Sequence, residues 1–216
     1  MNSVIQTGLR AGAALLSVLL LAGCATKFDP AKAGGIHTIA IQAPPNPDGF
    51  RPPYDLGLSE GRTFKANDNA AVTAADIFKV TGEKVGDKLA ASIAAALTKA
   101  GYQTMVVPEG GNPPADADAN LYIEIGPLGY WCRGLFLEGE CTPVLLTTIA
   151  LKGKGKTLYD RQCSYGIFAR GCADEADPAL TLPRLQDVLA DPARANTWLR
   201  VGVETIAAGV ARDLAR

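Results

Sequence analysis

An uncharged apolar run, Ala11 to Leu21, follows the basic Arg10 and stops at Ala22-Gly23-Cys24; its eleven residues include six leucines or valines. A basic start, a short apolar core and a small-residue close are the layout of an export signal. The run is about half of the roughly 20 residues a membrane-spanning helix needs, so a retained transmembrane helix is not expected. The folding part is then 24–216, 193 residues. That is enough for one well-buried domain and too few for two comfortable ones.

Leu21-Ala22-Gly23-Cys24 resembles the box of the bacterial lipoprotein class. The resemblance implies cleavage before Cys24, acylation of its thiol and amine, and a chain anchored to the membrane rather than spanning it. Cys24 is the lipidation residue, and palmitate is among the acyl groups expected. Ala25 stands where an aspartate would resemble an inner-membrane retention signal, so the resemblance points to the periplasmic face of the outer membrane. The expected organisation is a signal peptide at 1–23, a tether at 24–35 and a single α+β periplasmic domain at 36–216.

The charge balance narrows the partners. The full chain carries 21 basic and 22 acidic residues, and loss of Arg10 leaves 20 against 22. A nearly neutral chain of this kind does not suggest nucleic-acid binding. Nor does it exert a general pull on anionic head groups, so membrane attachment falls to the lipid.

Four cysteines remain: Cys132, Cys141, Cys163 and Cys172. In an exported chain an even number implies two disulfides. Zinc would need closely spaced ligand pairs, whereas each of these pairs has eight intervening residues and the lone His37 is far away. Two connectivities suit the spacing: a local set, 132–141 with 163–172, and a nested set, 141–163 with 132–172, clamping a hairpin about Lys152-Gly153. We favour the local set.

Periodicity supplies the elements. Ile36 to Ile41 is a strand, ended by Pro44-Pro45, and residues 43–69, rich in Pro, Gly, Asn and Asp, form a long loop. Val85, Leu89, Ile93 and Leu97 keep a helical stride that closes at Gly101. Strands follow at Gln103 to Val107 and Leu121 to Ile125. Val144 to Leu151 and Thr157 to Ile167 form a hairpin across Lys152-Gly153-Lys154-Gly155-Lys156. A short helix holds Leu182, Leu185, Val188 and Leu189. Asp191-Pro192 caps a last helix carrying Leu199, Val203, Ile206, Val210 and Leu214.

The expected fold class is therefore α+β: a mixed, largely antiparallel sheet with helices packed on one face and two disulfides. The order of Val85–Val107, of Ala117-Asp118-Ala119 running into Leu121–Ile125, of the hairpin and of the final helix resembles two known small α+β domains. One belongs to the curli-secretion lipoprotein family, the other is the amino-terminal domain of the Tol-system propeller protein. The loop after Ile41 and the four cysteines depart from that pattern, so a shared oligomeric pore role is not carried over.

Chemical motifs are sparse. Any Ser-His-Asp or Cys-His arrangement must use His37, and no serine sits in a G-x-S-x-G turn. Asp116-Ala117-Asp118-Ala119-Asn120 opens like a calcium loop, but Leu121 replaces the turn glycine and Pro127 the bidentate glutamate. The lysines and glycines of 152–156 lack a phosphate-loop frame and form a solvated turn. No catalytic residue, metal or cofactor is expected.

The segment from Tyr130 to Cys141 is different. Tyr130, Trp131, Arg133, Leu135 and Phe136 crowd large apolar and aromatic groups, with an arginine, into an expected loop, and such groups are favoured anchors for a protein partner. They are the candidate partner-binding residues, braced if Cys132 bonds Cys141. The expected function is non-enzymatic: a membrane-anchored envelope lipoprotein, facing the periplasm, that binds or helps assemble another envelope component. The alternative is an auxiliary lipoprotein of a transporter, carrying an apolar ligand.

Overall fold

A computed structural model describes residues 26–31, 33–46, 64–66, 70–72, 84–132, 141–166, 171–172, 178–181, 187 and 191–215. Seven strands are found among the described residues: β1 Thr38–Gln42, β2 Phe64–Ala66, β3 Ala70–Val72, β4 Gln103–Val107, β5 Ala119–Cys132, β6 Cys141–Gly153 and β7 Lys156–Gly166. The described residues also include the helices α1 Val85–Lys99 and α2 Pro192–Asp213 and a 3-10 turn at Pro178–Leu180. The short helix expected over 182–189 lies almost wholly outside the described residues.

Five strands form one sheet in the order β4-β1-β5-β6-β7, and among the described residues β2 pairs with β3 alone. The short β4-β1 and β1-β5 pairings are parallel, while the long β5-β6 and β6-β7 ladders are antiparallel. The sheet is thus mixed and largely antiparallel. The expected loop over 43–69 is corrected at its end, where Phe64–Ala66 pairs with Ala70–Val72.

One sheet face is covered. Ile39 and Ile41 of β1 lie in register with Ala119 and Leu121 of β5, which face Gly153 and Leu151 of β6. All but the glycine are core side chains, whereas Tyr122, Glu124, Thr148 and Lys152 on the other face are exposed. Both helices lie on the covered face. The Thr104 hydroxyl of β4 donates to the Ala94 carbonyl of α1 at 3.3 Å, and the Tyr159 hydroxyl of β7 donates to Asp213 of α2 at 3.1 Å. Leu89, Ile93 and Leu97 of α1 are fully buried, as are Ile206 and Val210 of α2. Each such side chain contributes about 1.5 to 3 kcal/mol by leaving water.

Local chemistry sets the element ends. At Gly101, φ +94°, the Tyr102 N–H donates to Leu97 and the Gly101 N–H to Thr98, both at helix-closing geometry. Asp191 caps α2 by accepting from the Arg194 N–H at 3.0 Å, with Pro192 in the first turn. Lys84 offers α1 no side-chain cap; the Asn46 Oδ1 instead accepts from the Gly86 and Asp87 N–H groups at 2.9 and 3.3 Å. The β6-β7 turn is Lys154-Gly155, φ +51° and +72°. Positive φ at both residues matches the twist of a tight hairpin.

One disulfide is seen among the described residues, Cys163–Cys172, where the sequence leads to two. It rules out the nested set. The ladder shows why: the turn at Lys154-Gly155 pairs Cys163 with Thr147, six residues past Cys141. Cys132 stands opposite Cys141 in the β5-β6 register, but its side chain lies outside the described residues.

Candidate functional site

The expected loop at Tyr130–Cys132 is corrected to strand. After an irregularity between Ile125 and Leu128, β5 continues, pairing Tyr130 with Pro143, Trp131 with Thr142 and Cys132 with Cys141. Pro127, which has no N–H to give a ladder, falls within that irregularity, where proline is tolerated. Arg133, Leu135 and Phe136 lie outside the described residues, as do the side chains of Tyr130 and Trp131. Of the five candidate residues, the ladder thus fixes the backbone of two, at the far end of the sheet's longest strand.

The other end of the sheet holds the beginnings of β1, β4, β5 and β7 and the end of β6. Cys24 lies outside the described residues; the chain just after it runs along β7 toward this end. Thr26 bridges Asp160 of β7, the Asp160 N–H donating to the Thr26 carbonyl at 3.0 Å. Phe28 packs against the core. The Ala33 N–H donates to the Asp29 carbonyl at 2.9 Å, and the Lys154 ammonium donates to the Gly34 carbonyl at 3.1 Å. A cavity of about 150 Å³ lies under this segment, lined by Phe28, Pro30, Ala33, Ile36 and Tyr102 among others. That is below the roughly 300 to 1,000 Å³ of small-molecule pockets. No spacing in the sequence signals this docking, because its bonds are to backbone groups.

Asp118 and His37 meet at the same end in a structural role. The Asp118 Oδ2 accepts from the His37 and Thr38 N–H groups at 2.8 and 2.9 Å, so the lead-in to β5 fastens the start of β1. These two backbone donors, chiefly, hold the Asp118 carboxyl below its ordinary range. His37 itself is exposed just before β1. Nearby, Asp213 at the close of α2 pairs with Arg161 at 2.6 Å and accepts from Tyr159. Burial first, and then the Asp213 charge, push the Tyr159 phenol above its ordinary value. This cluster joins α2 to β7.

Among the described residues no three His, Cys, Asp or Glu side chains are grouped to hold a metal ion. No helix among them is long and apolar enough to cross a membrane.

No family model and no curated protein matches the chain. Solved structures do. A DUF330 protein of Xanthomonas campestris is 11% identical, with 81% of each chain covered and a TM-score of 0.42. A lipoprotein of Neisseria meningitidis is 19% identical over 59% of this chain and 81% of its own, with a TM-score of 0.33. The PelC dodecamer of Paraburkholderia phytofirmans is 13% identical over 79% of this chain and 88% of its own, with a TM-score of 0.31. Likenesses this distant assign no activity to the chain.

Proposed function

We propose that this chain is a non-enzymatic envelope lipoprotein, anchored through Cys24 to the periplasmic face of the outer membrane, that binds or helps assemble another envelope component. One observation carries the reading. The docked segment that begins two residues after Cys24 meets the sheet at Asp160, level with Tyr122 of β5, while Tyr130 and Trp131 stand at the far end of that strand. Tyr130 lies eight positions beyond Tyr122, so the two places are roughly 25 Å apart along the strand. A membrane anchor and a partner-binding surface need such a separation, since a docking surface beside the anchor would face lipid. The box Leu21-Ala22-Gly23-Cys24 supports the anchor, and the aromatic content of 130–136 supports the partner.

The proposal includes a second bridge, Cys132–Cys141, supported by their register opposite one another. It would close the 133–140 segment and lower the ordering cost of association. The carrier alternative finds little room in the described cavity of about 150 Å³.

A crosslinking pull-down from cells tests the reading, using wild type beside a Trp131→Ala, Phe136→Ala variant whose folding is checked by thermal melting. The reading expects a discrete envelope partner with wild type and its loss with a variant that melts normally. An unfolded variant would assign both residues to the core and overturn the partner surface.

A further inference from the structure

We propose that the outer edge of β4 takes an extended segment of an envelope protein as an added strand of the sheet. The segment is uncharged and apolar along its middle, basic where it meets Glu109 and acidic where it meets Lys99. The first support is the backbone. β4 pairs with β1 in parallel, the Gln103 N–H donating to the His37 carbonyl at 2.8 Å and the Val107 carbonyl accepting from the Ala43 N–H at 2.9 Å. Successive residues of a strand turn their backbone groups to alternate sides. Gln103, Met105 and Val107 therefore turn theirs to β1, and Thr104 and Val106 turn theirs outward. Among the described residues no strand pairs with that side, and Val106 is 45% and Met105 36% exposed, which leaves the edge open to solvent.

The second support is the contrast between the two edges. Exposed edges are ordinarily blunted by charge, by proline or by a covering segment. β7, the other edge, carries Lys156, Asp160 and Arg161 and is covered in two places: Thr26 bridges Asp160, and Gly171 lies so near Gln162 that a Cβ there would fall 2.0 Å from the Gln162 carbonyl oxygen. β4, Gln103-Thr104-Met105-Val106-Val107, has neither charge nor proline. An unblunted apolar edge is a template for strand addition, in which main-chain bonds give affinity and alternate side chains give specificity.

The third support is the fit of the occupant. Lys99 and Glu109, both exposed, flank β4 before its start and after its end. They set the polarity of an antiparallel segment, the slightly more stable arrangement: it runs from a basic residue beside Glu109 to an acidic one beside Lys99. A second copy does not fit. Two identical edges related by a two-fold axis pair only antiparallel, because a parallel ladder needs a stagger that the axis cannot supply. The two β5 strands would then run in opposite directions, and the Tyr130 ends of the two copies could not both stand away from the bilayer along them. This step alone rests on the anchored reading proposed above. The edge is also remote from the strand that meets the anchor segment, since β4 and β7 are opposite edges of the five-stranded sheet, roughly 19 Å apart.

The test is hydrogen exchange, resolved to single amides, on the full protein purified from cells in detergent micelles, with and without the end-blocked peptide Lys-Thr-Val-Val-Val-Thr-Glu. The expected result is that the peptide slows exchange of the Thr104 and Val106 amides about tenfold and leaves the Met105 amide, already turned to β1, unchanged. The charge-swapped peptide Glu-Thr-Val-Val-Val-Thr-Lys should protect them less. Val106→Pro gives up an N–H that β1 does not use, which an edge strand tolerates, and it should abolish the protection; Val106→Thr keeps the N–H and should retain it. Unprotected wild-type amides, or amides already slow before the peptide is added, would overturn the inference. A dimer in sedimentation that Val106→Pro dissolves would also overturn it, giving the edge to a second copy. Protection on a chain whose intact mass lacks acyl groups would support the edge site and overturn only the anchored reading.

Discussion

At the residue scale, two positions show how one side chain, or its absence, fixes an approach between elements. Gly209 of α2 lies so close to the Cys172 backbone that a Cβ there would fall on the Cys172 carbonyl oxygen. Gly209→Ala is therefore expected to cost about 2 to 3 kcal/mol by overpacking, measured by urea denaturation, although alanine is the better helix former. Asp118 works through charge. Its folded pKa lies below the unfolded value of 3.8, so its contribution is present above that value and lost as pH falls through the folded one. Asp118→Asn should be less stable than wild type near pH 6, and the gap should close below about pH 4, read from denaturation midpoints across that range. Neither role is legible from spacing alone. Asp118 reads from the sequence as a polar lead-in to a strand, which it is, but its partners lie 80 and 81 residues away.

At the element scale the sequence is most readable where a local rule and the tertiary structure agree. The four-residue stride of Val85, Leu89, Ile93 and Leu97 gives α1, and Gly101 closes it with positive φ. A Cβ at Gly101 would meet nothing within 4 Å, so Gly101→Ala is expected to cost about 1 to 2 kcal/mol from backbone strain alone. Its signature in a thermal melt is a lowered midpoint with unchanged secondary structure. The start of α1 is not readable, because its cap is Asn46, brought from just after β1, 40 residues earlier than Gly86; Asn46→Ala should cost about 1 kcal/mol. The sequence pattern places the end of the β5 strand at Ile125. Gly126-Pro127 looks like a stop, and only the partner strand β6 shows that the ladder resumes at Leu128 and carries Tyr130 and Trp131. A bulge and a turn share the same residue types, and pairing decides between them.

At the scale of the whole molecule, the α+β class, the one-sided helix layer and the hairpin follow from alternation and helical stride. The docking of residues 26–36 does not, since glycine, alanine and proline carry no period. Cys163–Cys172 closes the segment between β7 and the approach to α2, and its replacement by a pair of serines should cost about 2 to 3 kcal/mol, seen as a lower denaturation midpoint that reduction of wild type approaches. The expectation of an anchored domain with its partner surface held away from the bilayer rests first on Cys24. Intact mass of the protein purified from cells, recorded with its distribution between membrane and soluble fractions, tests that claim most directly. The account predicts a chain of residues 24–216 carrying acyl groups and found with membranes, and an unacylated Cys24→Ala variant released from them; an unacylated, soluble wild type would contradict it.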